Sequence, residues 1–399
     1  MYKINEEEQK DKYTMLIPAM LDAHYPLLKY AFYSRKYQPV ILEEEENISD
    51  LGLRYTHNDL CYPAILIIGQ MISALQSGKY DLEKTVLMIG QAGDACRGSN
   101  YICMIRKALN RAGFSMVPVM SLNAKGLEKG QQVQVSVGMA KRALAAMMYG
   151  DLLMILNNQI TPYERNVGET NQYVQKWTKI LAEDLKQGRK LSPSAMKKNF
   201  RVIAEDFKKI PTEVKKVKKV GIVGELYIKY CHLGNWNLEQ FLREQNCEYY
   251  VNGLSWYALY YIYTHLTKEG FIMGMAYQFA FKYVGNIQKN MVNTLGEYGF
   301  YSMDDFQAFK KKAEGIVASH CAIGDGWLMG AEIANHVKNG YQKVICVQPF
   351  GCLPNQVCGK GLYPSIQRKL KNAQLVSVDF DSSGTDVNVK NRIKLLLDF

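Results

Sequence analysis

Short apolar segments typical of buried strands alternate with segments of helical character along most of this chain of 399 residues. The pattern predicts strands at residues 15–18, 39–42 and 85–90. A helix with Pro63 in its first turn separates the second of these strands from the third. Such alternation is typical of a doubly wound sheet of parallel strands, so the chain is predicted to belong to the α/β class.

The alternation occurs twice, which predicts two doubly wound, Rossmann-like or flavodoxin-like lobes. We place the N-terminal α/β lobe at residues 1–146 and the C-terminal α/β lobe at residues 217–399. Residues 147–216 are interpreted as a helical, lysine-rich connector. The length suits two lobes, and the 48% of apolar residues is enough for two cores.

The formal net charge is +11, and many of the lysines lie within residues 186–219. A nucleic-acid-binding face is one interpretation of this basic segment. We favour a solvated helical surface, because no nucleic-acid-binding motif accompanies the lysines. A dock for an acidic partner protein or for the phosphate of an acyl-CoA is a third interpretation.

The sequence contains no run of about 18 apolar residues, so we expect no membrane span. The first eight residues are acidic and lack the apolar core of a signal peptide. We therefore expect a cytoplasmic protein, in which cysteines stay reduced. Its nine cysteines, an odd number, are then expected to be core residues or ligands.

Three cysteines share one setting: Cys61, Cys96 and Cys352 each follow a strand-like segment in a turn that opens a helix. Such turns lie at the carboxyl ends of the strands, where open α/β sheets bind ligands. The amides and dipole of a helix N-terminus favour the thiolate form of a cysteine. Three thiolates there could hold a soft metal or an iron–sulfur cluster. Buried structural cysteines remain the alternative, because spacings of 35 residues (61 to 96) and 256 residues (96 to 352) match no zinc-binding pair.

The other cysteines receive simpler interpretations. Five are predicted to be packed structural residues: Cys103, Cys231, Cys247, Cys321 and Cys346. Metal binding by Cys231 together with His232 is a weaker alternative. Cys358 lies six residues beyond Cys352 and is kept as a reserve ligand.

Glycine-bearing turns at 90–93 and 221–225 lack the GxGxxG fingerprint, so they indicate a dinucleotide site only weakly. The turn at 324–327 either cradles a phosphate or thioester, or is a plain turn in which Asp325 caps the next helix. His57 and Asp59 flank the Cys61 turn as turn residues, proton donors or groups that support the cysteine. Arg97 could balance cluster charge or bind a substrate anion, and a surface ion pair is the alternative.

Seven segments, in this order along the chain, resemble the 2-hydroxyacyl-CoA dehydratase superfamily. They are NDLCYP at 58–63, CRGSNY at 96–101, GIVGE at 221–225, GDGWL at 324–328, QPFGCLPN at 348–355, GKG at 359–361 and the tail at 388–396. The branch that the chain resembles most is the dehydratase-like part of activase-fused members, which is related to the double-cubane cluster proteins. The resemblance covers residues 13–396.

The resemblance implies an oxygen-sensitive iron–sulfur cluster between two α/β lobes, held by three cysteines of each dehydratase-like unit. At the matching positions, Cys61, Cys96 and Cys352 would be the cluster ligands. Asp59, Arg97 and Asn100 would surround the cluster and are the catalytic candidates. The cofactor would be a [4Fe-4S] cluster or half of a double cubane.

The resemblance also implies partners. An ATPase activator with its own iron–sulfur cluster would deliver a low-potential electron, and the substrate would be an acyl-CoA or another small molecule. The sequence has no P-loop and no acetate-kinase/Hsp70-like part, so we expect ATP to act only through that activator. A double cubane would need a second dehydratase-like subunit or a homodimer. The family pattern has a residue other than cysteine at position 358, which leaves the role of Cys358 open.

The sequence thus predicts the iron–sulfur component of an ATP-dependent 2-hydroxyacyl-CoA dehydratase or double-cubane reductase-like system. The component would be a lyase or a reductase working in anaerobic metabolism, without nucleic acid or membrane as a partner. A non-catalytic electron-relay or scaffold subunit that completes a partner's cluster is the main alternative. A nicotinamide-dependent oxidoreductase is a weaker one.

Overall fold

The computed structural model describes residues 12–34, 36–43, 47–91, 96–122, 135–266 and 270–398. Two parallel four-stranded sheets organise this part of the chain. The first has the order β2-β1-β3-β4 and contains β1 (Tyr13–Ile17), β2 (Tyr37–Ile41), β3 (Thr85–Gly90) and β4 (Val119–Leu122). The second has the order β6-β5-β7-β8 and contains β5 (Lys218–Gly224), β6 (Cys247–Val251), β7 (Lys343–Pro349) and β8 (Gln374–Phe380). The predicted α/β class with two doubly wound lobes is confirmed.

Four helices surround the first sheet: α1 (Tyr25–Phe32), α2 (Ile48–Tyr55), α3 (Tyr62–Gln76) and α4 (Tyr101–Arg111). The sequence pattern did not indicate α2. Glycines let α2 and α3 cross closely, because a Cβ at Gly52 would lie 2.1 Å from the Ile65 carbonyl oxygen. A Cβ at Gly69 would likewise lie 2.0 Å from the Ile48 carbonyl oxygen.

Three helices join the sheets: α5 (Val137–Ile160), α6 (Glu169–Lys186) and α7 (Pro193–Phe207). The predicted lobe boundary at residues 146/147 falls inside α5. Asp151, fully buried on α5, has His24 Nε2 2.7 Å from its Oδ1. The amides of Leu254 and Ser255 donate to the same carboxylate at 2.6 and 3.0 Å. One buried carboxylate therefore ties α5 to a segment of each lobe.

The lysine-rich segment lies largely on exposed surface, where several lysines pair with nearby acids. Lys218 lies 3.5 Å from Asp398, and Lys219 lies 3.8 Å from Glu248. These contacts fit the solvated surface that we favoured for the segment. Within the described ranges, no helix has both the length and the apolar character needed to cross a membrane.

Nine helices of the described chain belong to the second lobe. They are α8 (Leu226–Tyr230), α9 (His232–Asn235), α10 (Leu238–Glu244), α11 (Leu254–Leu266), α12 (Phe271–Glu297), α13 (Phe306–Ala313), α14 (Gly326–Lys338), α15 (Tyr363–Lys369) and α16 (Asp386–Asp398). Asn237 precedes α10 and is of a residue type that often caps helices, but its side chain makes no capping hydrogen bond. Its backbone is left-handed (φ 58°), and Asn235 Oδ1 instead accepts the Leu238 amide at 3.0 Å.

The segments that follow the carboxyl ends of β1 and β5 meet between the lobes. The Asp22 amide donates to the Tyr230 carbonyl at 3.1 Å, and Cys231 Sγ lies 3.7 Å from the Ala19 carbonyl oxygen. One apolar core contains Leu16 from the first sheet and Ile222 from the second. The lobes therefore share a core, and the segments beyond two of their strand ends face one interface.

Candidate cysteine site

Cys61 occupies the position immediately before α3 and is half-buried. Its carbonyl oxygen accepts the amides of Ala64 and Ile65 at 2.9 and 3.2 Å, while Pro63 lies in the first turn as predicted. The Tyr101 hydroxyl donates to Cys61 Sγ at 3.4 Å. Because Tyr101 begins α4, this hydrogen bond joins the openings of two helices of the first lobe.

Cys96 precedes a 3₁₀ turn, Arg97–Asn100, that leads directly into α4. The Gly98 amide donates to Cys96 Sγ at 3.3 Å, so the sulfur itself caps the turn. Residues 92–95, the earlier part of this predicted turn, lie outside the described residues. The half-buried sulfur of Cys96 therefore takes the helix-opening position that the sequence predicted.

Cys352 follows β7 and precedes a π-helical turn, Asn355–Gly359. Its carbonyl oxygen accepts the Gln356 amide at 2.9 Å. Asn355 is fully buried, and its Nδ2 donates to Cys352 Sγ at 3.4 Å. π-Helical turns are rare and occur often at functional sites.

Each of the three sulfurs thus accepts at least one hydrogen bond from a neighbouring group. The donors differ: a backbone amide for Cys96, a phenol for Cys61 and a side-chain amide for Cys352. A hydrogen bond to the charged form of a group favours that form, so all three donors favour thiolates. Donors of this kind also orient and tune metal-bound sulfurs.

Burial acts against these donors. It raises the pKa of Cys61 to about 12, and the charges of Glu225 and Cys352 act in the same direction, against the Tyr101 hydrogen bond and Arg97. Burial also raises the pKa of Cys352 to about 12, with Glu225 again adding to it and Asn355 opposing it. Without a metal, both thiols are therefore neutral at physiological pH.

The same interactions show which side chains the fold brings together. Glu225 acts electrostatically on both Cys61 and Cys352, although these cysteines belong to different lobes. Tyr101 is buried, and burial is the largest cause of its raised pKa. The charges of three neighbours raise this pKa further: Cys61, Glu225 and Cys96. Cys61 and Cys352 therefore share one electrostatic neighbourhood, and Cys96 is connected to it through Tyr101.

Glu225 directly follows β5 and opens α8, where its Oε2 accepts the Ile228 amide at 2.9 Å. Burial raises its pKa, while hydrogen bonds from backbone amides and the charge of Lys229 oppose that rise. Gly224 permits this turn, because its φ is 134° and a Cβ there would lie 1.9 Å from the Val347 carbonyl oxygen. Close packing of β5 on β7 thus accounts for Gly224, the second glycine of the 221–225 segment, without a dinucleotide phosphate.

Asp325 is a second carboxyl group of this neighbourhood and, unlike half-buried Glu225, it is buried. Asn355 Nδ2, which also reaches Cys352, lies 3.4 Å from Asp325 Oδ2. Burial raises the pKa of Asp325 to about 8, Glu225 adds to the rise, and Lys229 opposes it. Asp325 precedes α14 but makes no capping hydrogen bond with its side chain, so the simple capping interpretation of the 324–327 turn is wrong.

A buried ion pair lies behind these carboxyl groups. Lys229 Nζ is 2.9 Å from Glu332 Oε1, and the two side chains are exposed by only 2% and 1%. Asn252 Nδ2 donates to the same oxygen at 3.2 Å. Lys229 therefore provides positive charge close to Glu225 and Asp325. This charge partly offsets the rise that burial causes in both of their pKa values.

The other predicted site residues lie at the exposed side of the two first-lobe turns. Asp59, Arg97 and Asn100 are all exposed. An Arg97 Nη1 hydrogen bond to the Asp59 carbonyl oxygen joins the Cys61 turn to the Cys96 turn. Asn100 precedes α4 without a capping hydrogen bond from its side chain. Arg97 therefore holds the two turns together, and its charge partly opposes the rise in the pKa of Cys61.

The reserve ligand Cys358 is buried in the π-helical turn, and its free thiol forms a hydrogen bond with that of Cys321. Burial raises the pKa of Cys358 to about 11, and the charge and hydrogen bonding of Cys321 add to that rise. The neighbours that act on its pKa are Cys321 and Asp325, and Cys352 is not among them.

The remaining cysteines test the predictions of packing. Cys231, Cys247 and Cys346 are buried, as expected, whereas Cys321 is half-buried. The prediction for Cys103 was wrong, because its side chain is exposed. The buried face of α4 instead carries Tyr101, Ile102, Ile105, Ala108 and Leu109.

The donor set fits a soft cation in its chemistry. Three half-buried sulfurs each have a hydrogen-bond donor, and buried acids raise the pKa values of two of them. A bound metal ion supplies the positive charge that deprotonates a coordinating thiol. Among the residues described, no three His, Cys, Asp or Glu side chains already stand in a metal-ligating arrangement.

Sequence reasoning missed three groups of this neighbourhood: Tyr101, Glu225 and Asn355. All three lie inside segments that the sequence had singled out, but their types alone indicated no role. Asn355 carried a usable signal, because a residue three positions after Cys352 falls on the same face of a helical turn. Tyr101 and Glu225 meet Cys61 only through the packing of α4 and the second lobe.

Comparison with known proteins assigns no family to this chain. No family model matches the sequence, and no curated protein matches it either. The function is therefore argued from the residues of the site.

Proposed function

We propose that this chain is the iron–sulfur component of an ATP-dependent 2-hydroxyacyl-CoA dehydratase or double-cubane reductase-like system. One observation carries the proposal: three cysteines from three helix-opening turns each have a hydrogen-bond donor on sulfur. Cys352 of the second lobe also acts electrostatically on Cys61 of the first. Donors alone do not distinguish these sulfurs, because the buried thiols of Cys231 and Cys346 also have hydrogen-bond partners. The electrostatic neighbourhood that Cys61 and Cys352 share across the lobes does distinguish them.

Cys61, Cys96 and Cys352 would hold the cluster, which when bound supplies low-potential one-electron transfer. Tyr101, Asn355 and the Gly98 amide would orient the sulfurs and withdraw charge from them. Asp325, with a pKa of about 8, holds a proton at neutral pH beside Asn355. The buried pair of Lys229 and Glu332 keeps positive charge close to these acids without exposing it to solvent.

Three sulfurs leave one iron of a cubane without a protein thiolate, since cubanes commonly have four. That position suits a small-molecule substrate, such as an acyl-CoA, or a bridge to a second cluster on another subunit. An electron-relay subunit that completes a partner's cluster uses the same ligands and is the second candidate. The electron donor would be a separate ATPase activator, and the setting cytoplasmic and anaerobic.

The proposal is tested by purifying the chain without oxygen, reconstituting it with iron and sulfide, and measuring both together with electron paramagnetic resonance. We expect Cys61→Ala, Cys96→Ala and Cys352→Ala each to lose most of the bound iron. Cys103→Ala is the matched control, because this cysteine is exposed on α4. Equal iron in all four variants would contradict cluster ligation.

A second measurement separates the two candidates. Turnover of a 2-hydroxyacyl-CoA is measured with the loaded chain and an added ATPase activator. Turnover by this chain supports a dehydratase component. Oxidation of the reduced activator without product, in a chain that binds iron normally, supports the relay subunit.

A further inference from the structure

A cavity lies in the first lobe, away from the cysteine turns. Its volume is about 480 Å³, and its lining includes the end of α1, the following loop, the first part of β2 and the start of α5. Tyr33 and Ser34 belong to the loop that leads into the amino-terminal end of β2. Met15 and Met120 lie on strands of the first sheet, and none of the three cysteines is among the described lining residues, so the cavity is separate from the cysteine site.

The polar lining of this cavity is cationic. Lys36 and Arg142 contribute positive charges, and Tyr33, Ser34 and Ser136 contribute hydroxyl groups. Among the described residues that line it, none is acidic. Lys12 adds a further cation, because its Nζ lies 3.4 Å from the Tyr33 hydroxyl.

Arg142 gives the cavity its strongest indication of a ligand. Its Nε is buried and has no hydrogen-bond partner in the described ranges. Leaving a buried charged donor unsatisfied is costly, so such a group points to an acceptor that fills the space beside it. Arg142 also lies in the second turn of α5, a 24-residue helix whose positive dipole end faces the same region.

The remaining wall is largely apolar and consists of Met15, Ala31, Phe32, Tyr37, Met120 and Met139. A cationic end beside an apolar wall suits a ligand with an anionic head and an apolar body. The cavity volume lies within the range of small-molecule sites. Methionine side chains adapt to flat or irregular apolar groups, which suits an aromatic body.

We propose that this cavity binds an organic monophosphate, with the phosphate on Arg142 and Lys36 and an aromatic or aliphatic body against Phe32 and the methionines. A phosphate is favoured over a carboxylate because it carries nearly two negative charges at neutral pH and has three strong acceptor oxygens. Two cations and three hydroxyl donors match that demand. The arginine fork binds phosphate through two parallel hydrogen bonds.

The test uses the full chain and isothermal titration calorimetry at low salt, with phenyl phosphate, inorganic phosphate and benzoate as probes. We expect phenyl phosphate to bind more tightly than inorganic phosphate, because only its ring reaches the apolar wall. Benzoate should bind more weakly than phenyl phosphate. Arg142→Gln should weaken phenyl phosphate binding by about tenfold or more, as expected for the loss of charged hydrogen bonds.

Two further variants keep the test decisive. Lys141→Gln is the matched control, because Lys141 is exposed, lies next to Arg142 on α5 and does not line the cavity. This variant should bind phenyl phosphate as tightly as the unchanged chain. Lys36→Gln, at an exposed position that cannot unfold the lobe, should weaken binding and reduce its salt dependence. Unfolding of Arg142→Gln would be seen by circular dichroism, and Lys36→Gln then decides.

The proposal is overturned if phenyl phosphate does not bind, if Lys36→Gln and Arg142→Gln bind it as tightly as the unchanged chain, or if benzoate binds equally well. The result does not depend on the cysteine site. The Cys61→Ala variant should bind phenyl phosphate normally whether or not the chain holds a cluster.

Discussion

At the scale of single residues, the candidate site is a balance between burial and hydrogen bonding around sulfur. Burial and acidic neighbours favour neutral thiols at Cys61 and Cys352, whereas Tyr101 and Asn355 favour their thiolates. Glu225 has the largest effect of any charged neighbour on both thiols. The balance can therefore be shifted at one carboxyl group without touching either cysteine.

Glu225→Gln is expected to lower the pKa values of Cys61 and Cys352, both about 12 in the unchanged chain. Removing a negative charge stabilises a nearby thiolate, so each thiol ionises at lower pH. The glutamine keeps an oxygen that can accept the Ile228 amide, so α8 should still form. The measurement is the pH dependence of iodoacetamide labelling of the metal-free protein, followed for each cysteine by mass spectrometry.

The labelling of Cys61 and Cys352 should become faster in the variant at any pH near 10, because only the thiolate reacts. Exposed Cys103 serves as the internal control, and its rate should not change. Unchanged profiles at Cys61 and Cys352 would show that Glu225 does not control their ionisation.

Asp325→Asn is expected to remove part of the pH dependence of stability. The pKa of Asp325 is about 8 in the folded chain, against an ordinary value of 3.8. The folded state therefore holds this proton more tightly than the unfolded state does. The contribution of Asp325 to the free energy of unfolding is full below about pH 4, falls as the pH rises, and is lost beyond about pH 8. Asparagine cannot ionise, so the variant lacks this loss.

The comparison is made by urea unfolding at pH 5 and pH 8. Relative to the unchanged chain, Asp325→Asn should gain stability on going to pH 8, by an amount on the order of a few kcal/mol. Asp50→Asn, at an exposed position of α2, is the control and should leave the pH dependence unchanged. A parallel pH dependence in Asp325→Asn and the unchanged chain would refute the assignment.

At the scale of helices and strands, the sequence is a good guide where one element shows its own pattern. The strand at residues 85–90 was predicted with its observed bounds, because five successive residues of β3 are buried and its ends are polar or glycine. Residues 303–318 have a helical sequence pattern throughout, but α13 spans only Phe306–Ala313. Gly315, with a φ of 73°, turns the chain away, and no periodicity reveals that turn.

Contacts between elements explain the other differences. The α2 helix is short and rests on glycine-mediated contacts with α3, which a pattern of apolar residues does not show. Asp151 has the same character, because a lone acid in an apolar helix gives no sign of its partners. Its role comes from the meeting of α5, His24 and the start of α11.

Asp151→Ala is expected to destabilise the fold by roughly 3 to 5 kcal/mol, as when one partner of a buried charged network is removed. The change leaves His24 and the amides of Leu254 and Ser255 buried without their acceptor. The measurement is thermal and urea unfolding by circular dichroism. Glu183→Ala is the control, because this acid of α6 is 52% exposed and its ion pair with Lys186 is superficial. Similar losses in both variants would contradict the proposed role of Asp151.

At the scale of the whole molecule, the site depends on how the two lobes meet. Cys61 and Cys96 open helices of the first lobe, whereas Cys352 and Glu225 follow strands of the second. The sequence predicted both lobes and placed each cysteine just before a helix, but the strand-like segment expected before Cys61 was wrong, because α2 lies between β2 and that turn. It could not predict the neighbourhood that they share, because that depends on contacts such as those of Asp22 with Tyr230.

A cluster held by these three cysteines would link the lobes, so binding should stabilise the molecule as a whole. Ligation requires the folded arrangement of the cysteines. A free ligand concentration a thousandfold above Kd therefore raises the free energy of unfolding by about 4 kcal/mol. We expect the chain loaded with iron and sulfide to unfold in one transition, at a higher Tm than the metal-free chain. Cys352→Ala should lose that gain although it retains both first-lobe cysteines, whereas Cys103→Ala should keep it. An equal rise in Tm for Cys352→Ala, or a rise confined to one of two separate transitions, would show that no ligand bridges the lobes.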